Sequence, residues 1–521
     1  RCHGRPVPSY TLHSMFDDGT DIVRFSPHET NEWQPSVAND GRIIYTRWDY
    51  VDRGFNQAHH AWVTYPDGRD ARALNGNTHL DQRTAPHQEM QVRAVPGSPL
   101  MVAITSGHHT EARGSIVLID PRIKDDGAMS AVRRVTPDQL FPEAEWYHFR
   151  GSSAYSTPWP LSEKYFLCVY DHDANAQWGE LSPDKRNYAL TLLDIYGNKE
   201  VLYRDPRISC LDPIPLRPRT KPPVIPHGTA VGLPRNADGS KPTPLPADQV
   251  PKTGRIGLIN VYDSLRPLPA GVKVSALRIW QILPKSTPLA DVPRIGYGSQ
   301  KPAKASLGTV PVEADGSAWF EAPTGVPLLY HALDETGAAI QGMRSASYVQ
   351  PGETLTCTGC HNDRATGTRT TSQPLAMRRA ASTITPDPDG THPFNFPRLV
   401  QPVLDAKCIS CHKPGGDRPD LTRGDYAKND NLWYTSFAQL RGFVKFYDNA
   451  DWVEPYTVPG HFGAHGSRLY QMLRAGHHDV KLTDDEWHRL TIWMDSNGLF
   501  FGHEQNLLAQ AEGKLVPPLY E

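Results

Sequence analysis

Two five-residue stretches constrain this chain more than anything else in it: "CTGCH" from Cys357 to His361 and "CISCH" from Cys408 to His412. With seven cysteines and 22 histidines in 521 residues, chance supplies roughly 0.004 copies of Cys-x-x-Cys-His. Two copies are therefore a device, and the spacing identifies it. Thiols three positions apart can add to the two vinyl groups of one haem, and the histidine that follows can turn its imidazole to the iron. A zinc site built from four cysteines needs no histidine after each pair, and a thioredoxin-type pair is single and sits in a βαβ pattern. The chain is read as carrying two covalently bound haem c groups.

Haem of this kind is attached outside the bacterial cytoplasm, so a periplasmic or other extracytoplasmic location is expected. The opening "RCHGRP" in place of Met suits a mature protein that has lost its leader. Cys2 leaves a lipid anchor open, although a lipoprotein would begin at the cysteine, and a disulfide is the plainer role. No apolar run approaches the roughly 18 residues of a membrane span, so a soluble chain is expected. A formal net charge of -3 gives no electrostatic reason to bind nucleic acid or an anionic membrane.

The pattern along the chain is mainly β, with a small helical end. Residues 1–211 read as short strands divided by turns, as in "NDGRIIYTRWDY" from Asn39, "AWVTYPDGRD" from Ala61, "GSIVLIDPR" from Gly114, "EKYFLCVYD" from Glu163 and "YALTLLDIYGNKEVLY" from Tyr188. Weak similarity at a spacing of roughly 40 to 50 residues points to blades of a β-propeller. Residues 212–254 form a connection with eleven prolines, stiff enough to lie on the surface as a strap. Residues 255–380 read as a middle β-domain that carries the first haem, with hairpins expected in "GTVPVEADGSAWFEAPTGVPLLYHALDETG" from Gly308. A second polar linker is expected from Thr366 to Asn395. Residues 381–521 read as a cytochrome c-like domain carrying the second haem.

In that last segment Leu399, Val400, Val403 and Leu404 share a helical face just before Cys408. "SRLYQMLRAG" has Ser467 as N-cap and Gly476 as terminator, and "TDDEWHRLTIWMDSNG" has a Thr483–Glu486 capping box with Gly498 at its end. Between these helices lies "HHDVKL", so His477 or His478 is the expected ligand opposite His412, and two imidazoles would close that iron. A surface histidine pair after a helix cap is the plainer alternative. Met472 and Met494 are competing ligands, but both sit at core positions of amphipathic helices.

The first haem has no such flanking helices, so its distal side is read as open. His59, His60, His108 and His109, each placed on a turn, are the histidines that reach it in principle, and exposed loop residues are their plainer role. Of the cysteines outside the motifs, Cys2, Cys168 and Cys210, one stays unpaired even if a disulfide forms. Cys210 is either an inert core thiol or a metal thiolate.

The stretches "LGTVPVEADGSAWFEAP", "YVQPGETLTCTGCHNDR", "ISCLDPIPLRPRTKPPVIP" and "GHHDVKLTDDEWHRLTIWMDSNGLFFG" resemble the alpha subunit of hydrazine synthase and its dihaem relatives, over nearly the whole chain from "QPSVANDGRIIYTRWDY" onward. The resemblance implies a propeller, a middle domain with one haem and a C-terminal domain with a bis-histidine haem. It also implies a middle haem at which ammonia meets a hydroxylamine-level intermediate, with a tyrosine just beyond the motif on the iron and the motif histidine on a zinc ion shared with a cysteine. By that resemblance His361 and Cys210 would hold zinc. The tyrosine is absent here, because Asn362, Asp363, Arg364 and Ala365 follow the motif. The simplest ligand for the first iron is then His361 itself.

Two functions follow. In the first, the chain is a redox enzyme subunit that handles a small nitrogen species at the first haem while the second relays electrons, in a hetero-oligomer with redox partners or other multihaem cytochrome subunits. In the second, both haems are closed and the chain is an electron-transfer module. A weaker third is a structural subunit of a multihaem assembly.

Overall fold

Runs of β-branched and aromatic residues closed by turns become antiparallel meanders, because each pleated face packs best with such side chains and the turns return the chain beside itself. The computed structural model describes residues 9–28, 31–49, 58–75, 88–107, 112–123, 131–139, 154–172, 187–289, 292–298, 302–360, 372–447 and 457–519. A short ribbon of β1 (His13–Ser14) and β2 (Val23–Arg24) comes first. Three four-stranded meanders follow. They are β3 (Asn31–Val37), β4 (Ile43–Trp48), β5 (His59–Thr64) and β6 (Arg72–Ala73); β7 (Gln88–Ala94), β8 (Met101–Ser106), β9 (Ser115–Ile119) and β10 (Val132–Arg134); and β11 (Tyr155–Pro160), β12 (Tyr165–Asp171), β13 (Tyr188–Asp194) and β14 (Lys199–Tyr203). The first two share one sheet through a single parallel pair, His59 with Gln88.

The first strand of each meander carries the same irregularity. Register shifts fall between Trp33 and Ser36, Met90 and Arg93, and Ser156 and Trp159. Inside them Gln34, Gln91 and Thr157 take φ of 54°, 55° and 45°, a left-handed geometry typical of bulges and costly for residues other than glycine. The bulges serve a purpose. Gln34 Oε1 accepts from the Gln91 backbone N at 2.8 Å, and Gln91 Oε1 accepts from the Thr157 N at 2.7 Å. Thr157 Oγ1 accepts from the N of Asp212 at 3.2 Å, and Asp212 is itself left-handed with φ 46°. A ladder of side chain to backbone thus joins one meander to the next. Equivalent residues stand further apart in sequence than the expected 40 to 50, because the meanders are joined by longer loops.

The proline-rich segment lies against the first meander, as its stiffness favours. Gly228 N donates to Asp67 Oδ2 at 2.8 Å, Arg69 Nη2 donates to the Pro226 carbonyl at 3.0 Å, and Arg235 pairs with Asp17 at 2.7 Å. Val231 packs on the buried Leu12, Phe25, Tyr45 and Trp62.

Seven strands then form a sandwich of two sheets. They are β15 (Thr253–Leu258), β16 (Val274–Leu283), β17 (Ala303–Pro311), β18 (Ala318–Pro323), β19 (Leu328–Asp334), β20 (Ala339–Gly342) and β21 (Thr354–Cys357). The sheet orders are β17-β16-β19-β20 and β18-β15-β21. Ile256, Leu277, Ile279, Val310, Phe320 and Leu355 fill the space between them. The run from Gly308 is therefore not a series of hairpins. β17 and β18, although joined by an Asp-Gly turn, belong to opposite sheets, and only β19 and β20 pair as neighbours. Alternation specifies a strand locally but leaves its partner open.

The helices are α1 (Phe396–Leu399), α2 (Gln401–Lys407), α3 (Thr435–Leu440), α4 (Gly463–Gly466), α5 (Arg468–Arg474), α6 (Asp484–Asp495) and α7 (Leu507–Ala511). Their core is continuous with the outer face of β16. Trp280 joins Tyr297, Phe396, Phe437, Trp493 and Phe500 in one buried cluster, and Tyr297 stacks on Phe437 with ring centroids 4.1 Å apart. Leu399, Val400, Val403 and Leu404 are buried as their spacing predicts. The Thr483–Glu486 capping box forms. Ser467 stands at the N-cap of α5 without capping it, because its hydroxyl donates to the Gly463 carbonyl instead. The described part of the second linker is fastened to the sandwich through Thr309–Thr385 and Ala305–Pro393 bridges. No helix among the described residues is long and apolar enough to cross a membrane.

Candidate functional site

α2 delivers the second motif as one more helical turn. Cys408 N donates to the Leu404 carbonyl at 2.8 Å, and the N–H groups of Cys411 and His412 return to the Cys408 carbonyl at 3.1 and 3.0 Å. Residues three and four apart share a face of such a turn, so both thiols and the imidazole project together. Cys408 is half-buried and Cys411 exposed. Burial, with a smaller effect of Glu486, pushes the Cys408 thiol up to about 11. The Pro419 carbonyl lies 2.9 Å from His412 Nδ1. A carbonyl can only accept, so Nδ1 carries the proton and Nε2 keeps the lone pair that a metal takes.

Across from His412 stands His477, with ring centroids 6.0 Å apart and planes at 37°. Two imidazoles on one ion, each bond about 2 Å, put their centroids roughly this far apart. The donor set therefore fits a bis-histidine haem site. Ile409, Met472, Leu473, Leu482 and Trp487, close in sequence to these residues or on the next helix, are half-buried against the helical core, apolar surface of the kind a porphyrin packs on.

The backbone decides between the two adjacent histidines. α5 ends at Gly476 with φ 92°, and His478 and Asp479 are left-handed at 45° and 61°. That knuckle turns His477 inward, half-buried, and leaves His478 exposed beside it, the rings T-shaped at 4.6 Å. Burial, His478, His412 and Arg418 together hold the His477 pKa below the ordinary imidazole value, so the neutral, ligating form prevails. Met494 is fully buried, and Met472 packs half-buried on the same core.

The first motif is built on a strand. β21 runs parallel to β15 with Cys357 opposite Leu258, and both Cys357 and Cys360 pack half-buried on the sandwich core. The turn between them is held by the 259–264 segment: Ile259 N and Asn260 N donate to the Cys357 and Thr358 carbonyls at 2.9 and 3.2 Å. Gly359 is required there, because a Cβ would meet the Asp263 carbonyl oxygen at 1.9 Å. Burial pushes the Cys360 thiol up to about 12 and raises that of Cys357. His361 lies outside the described residues, as do Cys2, His108, His109 and the stretch 362–365 that follows the motif.

The first meander supplies neighbours that sequence reasoning missed. Arg72 on β6 donates to the Thr356 carbonyl at 3.1 Å, and Glu353 accepts from the backbone N–H groups of Asp70 and Gln350, each at 2.7 Å. Burial raises the Glu353 carboxyl to about 7. Tyr330 is enclosed too, and burial lifts its phenol above the ordinary range. Glu353 stands four residues before Cys357, which is the only signal the sequence offers; Arg72 has none.

His59 and His60 are not on a turn. They lie in β5, 1% and 5% exposed. His59 stacks on Trp48 at 4.6 Å, and His60 sits 3.6 Å from Glu89. The strand "HHAWVT" buries both faces, which draws its histidines inward. Cys168 is core. Cys210 is half-buried, its N–H bonded to the Tyr188 carbonyl at 2.9 Å, two residues from the last step of the ladder. Among the described residues no group of three or more His, Cys, Asp or Glu is placed to hold a metal ion.

Residues 273–362 match the family described as "Hydrazine synthase alpha subunit middle domain". No curated protein matches in sequence. A solved structure of Kuenenia stuttgartiensis hydrazine synthase is similar with a TM-score of 0.65 at 16% identity, covering 98% of this chain and 73% of that one. The chain thus carries a segment that matches the hydrazine synthase alpha subunit middle domain, and its fold is similar to that of the Kuenenia stuttgartiensis protein over nearly its whole length.

Proposed function

We propose that this chain is an extracytoplasmic dihaem c-type cytochrome and a redox subunit acting on a small nitrogen species, in a hetero-oligomer with other redox or multihaem subunits. The observation that carries it is the facing of His412 and His477 at 6.0 Å beside Cys408 and Cys411. In this reading residues 1–211 are propeller-like, 212–254 the strap, 255–380 the middle domain with the first haem and 381–521 the cytochrome c-like domain. The repeated bulges at Gln34, Gln91 and Thr157, with Asp212 as a fourth step, support the propeller.

Bound haem would supply one-electron chemistry and, where an axial position is open, a Lewis-acidic iron. The residues divide the remaining work. Cys357 with Cys360 and Cys408 with Cys411 would hold the porphyrins covalently. His412 and His477 would close the second centre, with Pro419 fixing the His412 tautomer. His361 would serve the first, either on iron or, with Cys210, on zinc. Glu353, just before the strand that carries Cys357, would keep a proton exchangeable near neutrality.

Electron paramagnetic resonance of the oxidised protein, with metal analysis of the same sample, tests this. The expected result is one low-spin and one high-spin ferric signal. Low-spin signals alone would overturn the enzyme reading and leave an electron-transfer module. About one zinc per chain would support the Cys210–His361 pair, and none would remove it.

A further inference from the structure

The first meander is docked on the middle domain through buried polar groups. Arg47 Nη2 donates to the Ala346 carbonyl at 2.9 Å, and Gln350 Nε2 donates to the Phe25 carbonyl at 2.6 Å. Gly68 shows how tight this joint is, because a Cβ there would meet the Phe25 carbonyl oxygen at 2.2 Å and Gln350 Nε2 at 2.5 Å.

Glu32, the second residue of β3, is buried at this joint, 3% exposed. Its Oε2 accepts from the Ser26 hydroxyl, whereas its Oε1 has no hydrogen-bond partner among the described residues. The charge of Arg47 reaches Glu32, but the guanidinium is directed elsewhere. Its Nε donates to Asp49 Oδ1 at 2.8 Å, and His28 Nε2 stands 2.7 Å from the same oxygen. Tyr45 and Tyr348 are near enough to feel the Glu32 charge, and burial lifts both phenols above their ordinary range, so both stay neutral. Glu353, which also acts on Tyr348, has its two oxygens on the backbone N–H groups of Asp70 and Gln350. Glu32 is therefore the carboxyl of this group with one oxygen left over and no cation of its own. A buried carboxyl in that position keeps its proton, since the charged form has neither water nor a counter-ion. Burial accordingly raises Glu32 to about 7.

We infer that Glu32 is a proton-controlled latch: its neutral carboxyl lets the first meander close on the middle domain, and its ionisation loosens that joint. The latch lies beside the strand that carries Cys357, because the same meander reaches Thr356 through Arg72 and Glu353 through Asp70. It does not rest on the haem assignment. The closed form holds this proton more tightly than the open form, so its stabilisation is complete below the ordinary carboxyl range and is lost as pH rises through about 7.

Hydrogen–deuterium exchange of the full-length holoprotein, read by mass spectrometry and normalised to the intrinsic rate at each pH, tests it. The reporters are the amides of Phe25 and Glu32, bonded to the Leu12 and Tyr10 carbonyls, and the 344–350 segment. Their opening should rise about tenfold from about pH 6 to about pH 8.5, while β12 in the third meander stays unchanged. Glu32→Gln, which cannot ionise, should abolish the rise. A flat pH profile at the joint overturns the latch, as does a rise that Glu32→Gln retains or that β12 shares. If Glu32→Gln fails to fold, Ser26→Ala decides. It removes the one donor to the carboxylate and should move the opening to higher pH, and an unmoved midpoint overturns the proposal.

Discussion

Replacing Gln91 by alanine tests the ladder that joins the meanders. Its side chain accepts from the Thr157 N–H at 2.7 Å, and Thr157 is only 8% exposed. Truncation leaves that donor unpaired away from water, a cost of about 1–3 kcal/mol. Alanine does not relieve the left-handed backbone, φ 55°, whose penalty for a residue with a Cβ is about 1–2 kcal/mol. Glycine does relieve it, at about 0.5–1 kcal/mol of chain entropy. Gln91→Ala should therefore be destabilised by about 1–3 kcal/mol, and Gln91→Gly by somewhat less. Differential scanning calorimetry reads this as a fall of about 2–4 °C per kcal/mol for a unit of this size. A Gln91→Ala transition that coincides with the unmodified protein would refute the ladder. A Gln91→Gly variant melting below Gln91→Ala would refute the strain argument.

Two further outcomes follow from the sites. His477→Ala should convert the low-spin ferric signal of the second centre to high-spin, whereas His478→Ala should leave the spectrum unchanged; the reverse pattern would assign the ligand wrongly. Burial raises both Glu32 and Glu353 from 4.5 to about 7. The folded state then holds these protons more tightly than the unfolded chain, so their contribution is complete below about pH 4.5 and is lost as pH rises through about 7. Denaturant unfolding at a series of pH values should show stability falling across that window. Glu32→Gln and Glu353→Gln should each flatten the fall, and an unchanged slope in both would contradict the burial argument.

The sequence alone was enough for whatever acts within a few residues. The two Cys-x-x-Cys-His motifs, the strands at Ile43–Trp48 and Tyr165–Asp171, the Thr483–Glu486 capping box and the apolar face ending at Cys408 depend on backbone periodicity and on hydrogen bonds between residues three or four apart. Contacts between distant segments were a different matter. The sheet exchange between β17 and β18, the burial of His59 and His60, and the ladder from Gln34 to Asp212 arise because pairing and bulges are settled by partners far along the chain. His477 was one of two equal candidates until the left-handed turn at Gly476, His478 and Asp479 aimed it at His412. Nothing in the neighbouring residues marks Lys304 or Glu353 as enclosed. Only the docking of helices onto one sheet and of the first meander beside the other enclosed them, because burial is a property of the assembled surfaces and leaves no trace in a local stretch of residues.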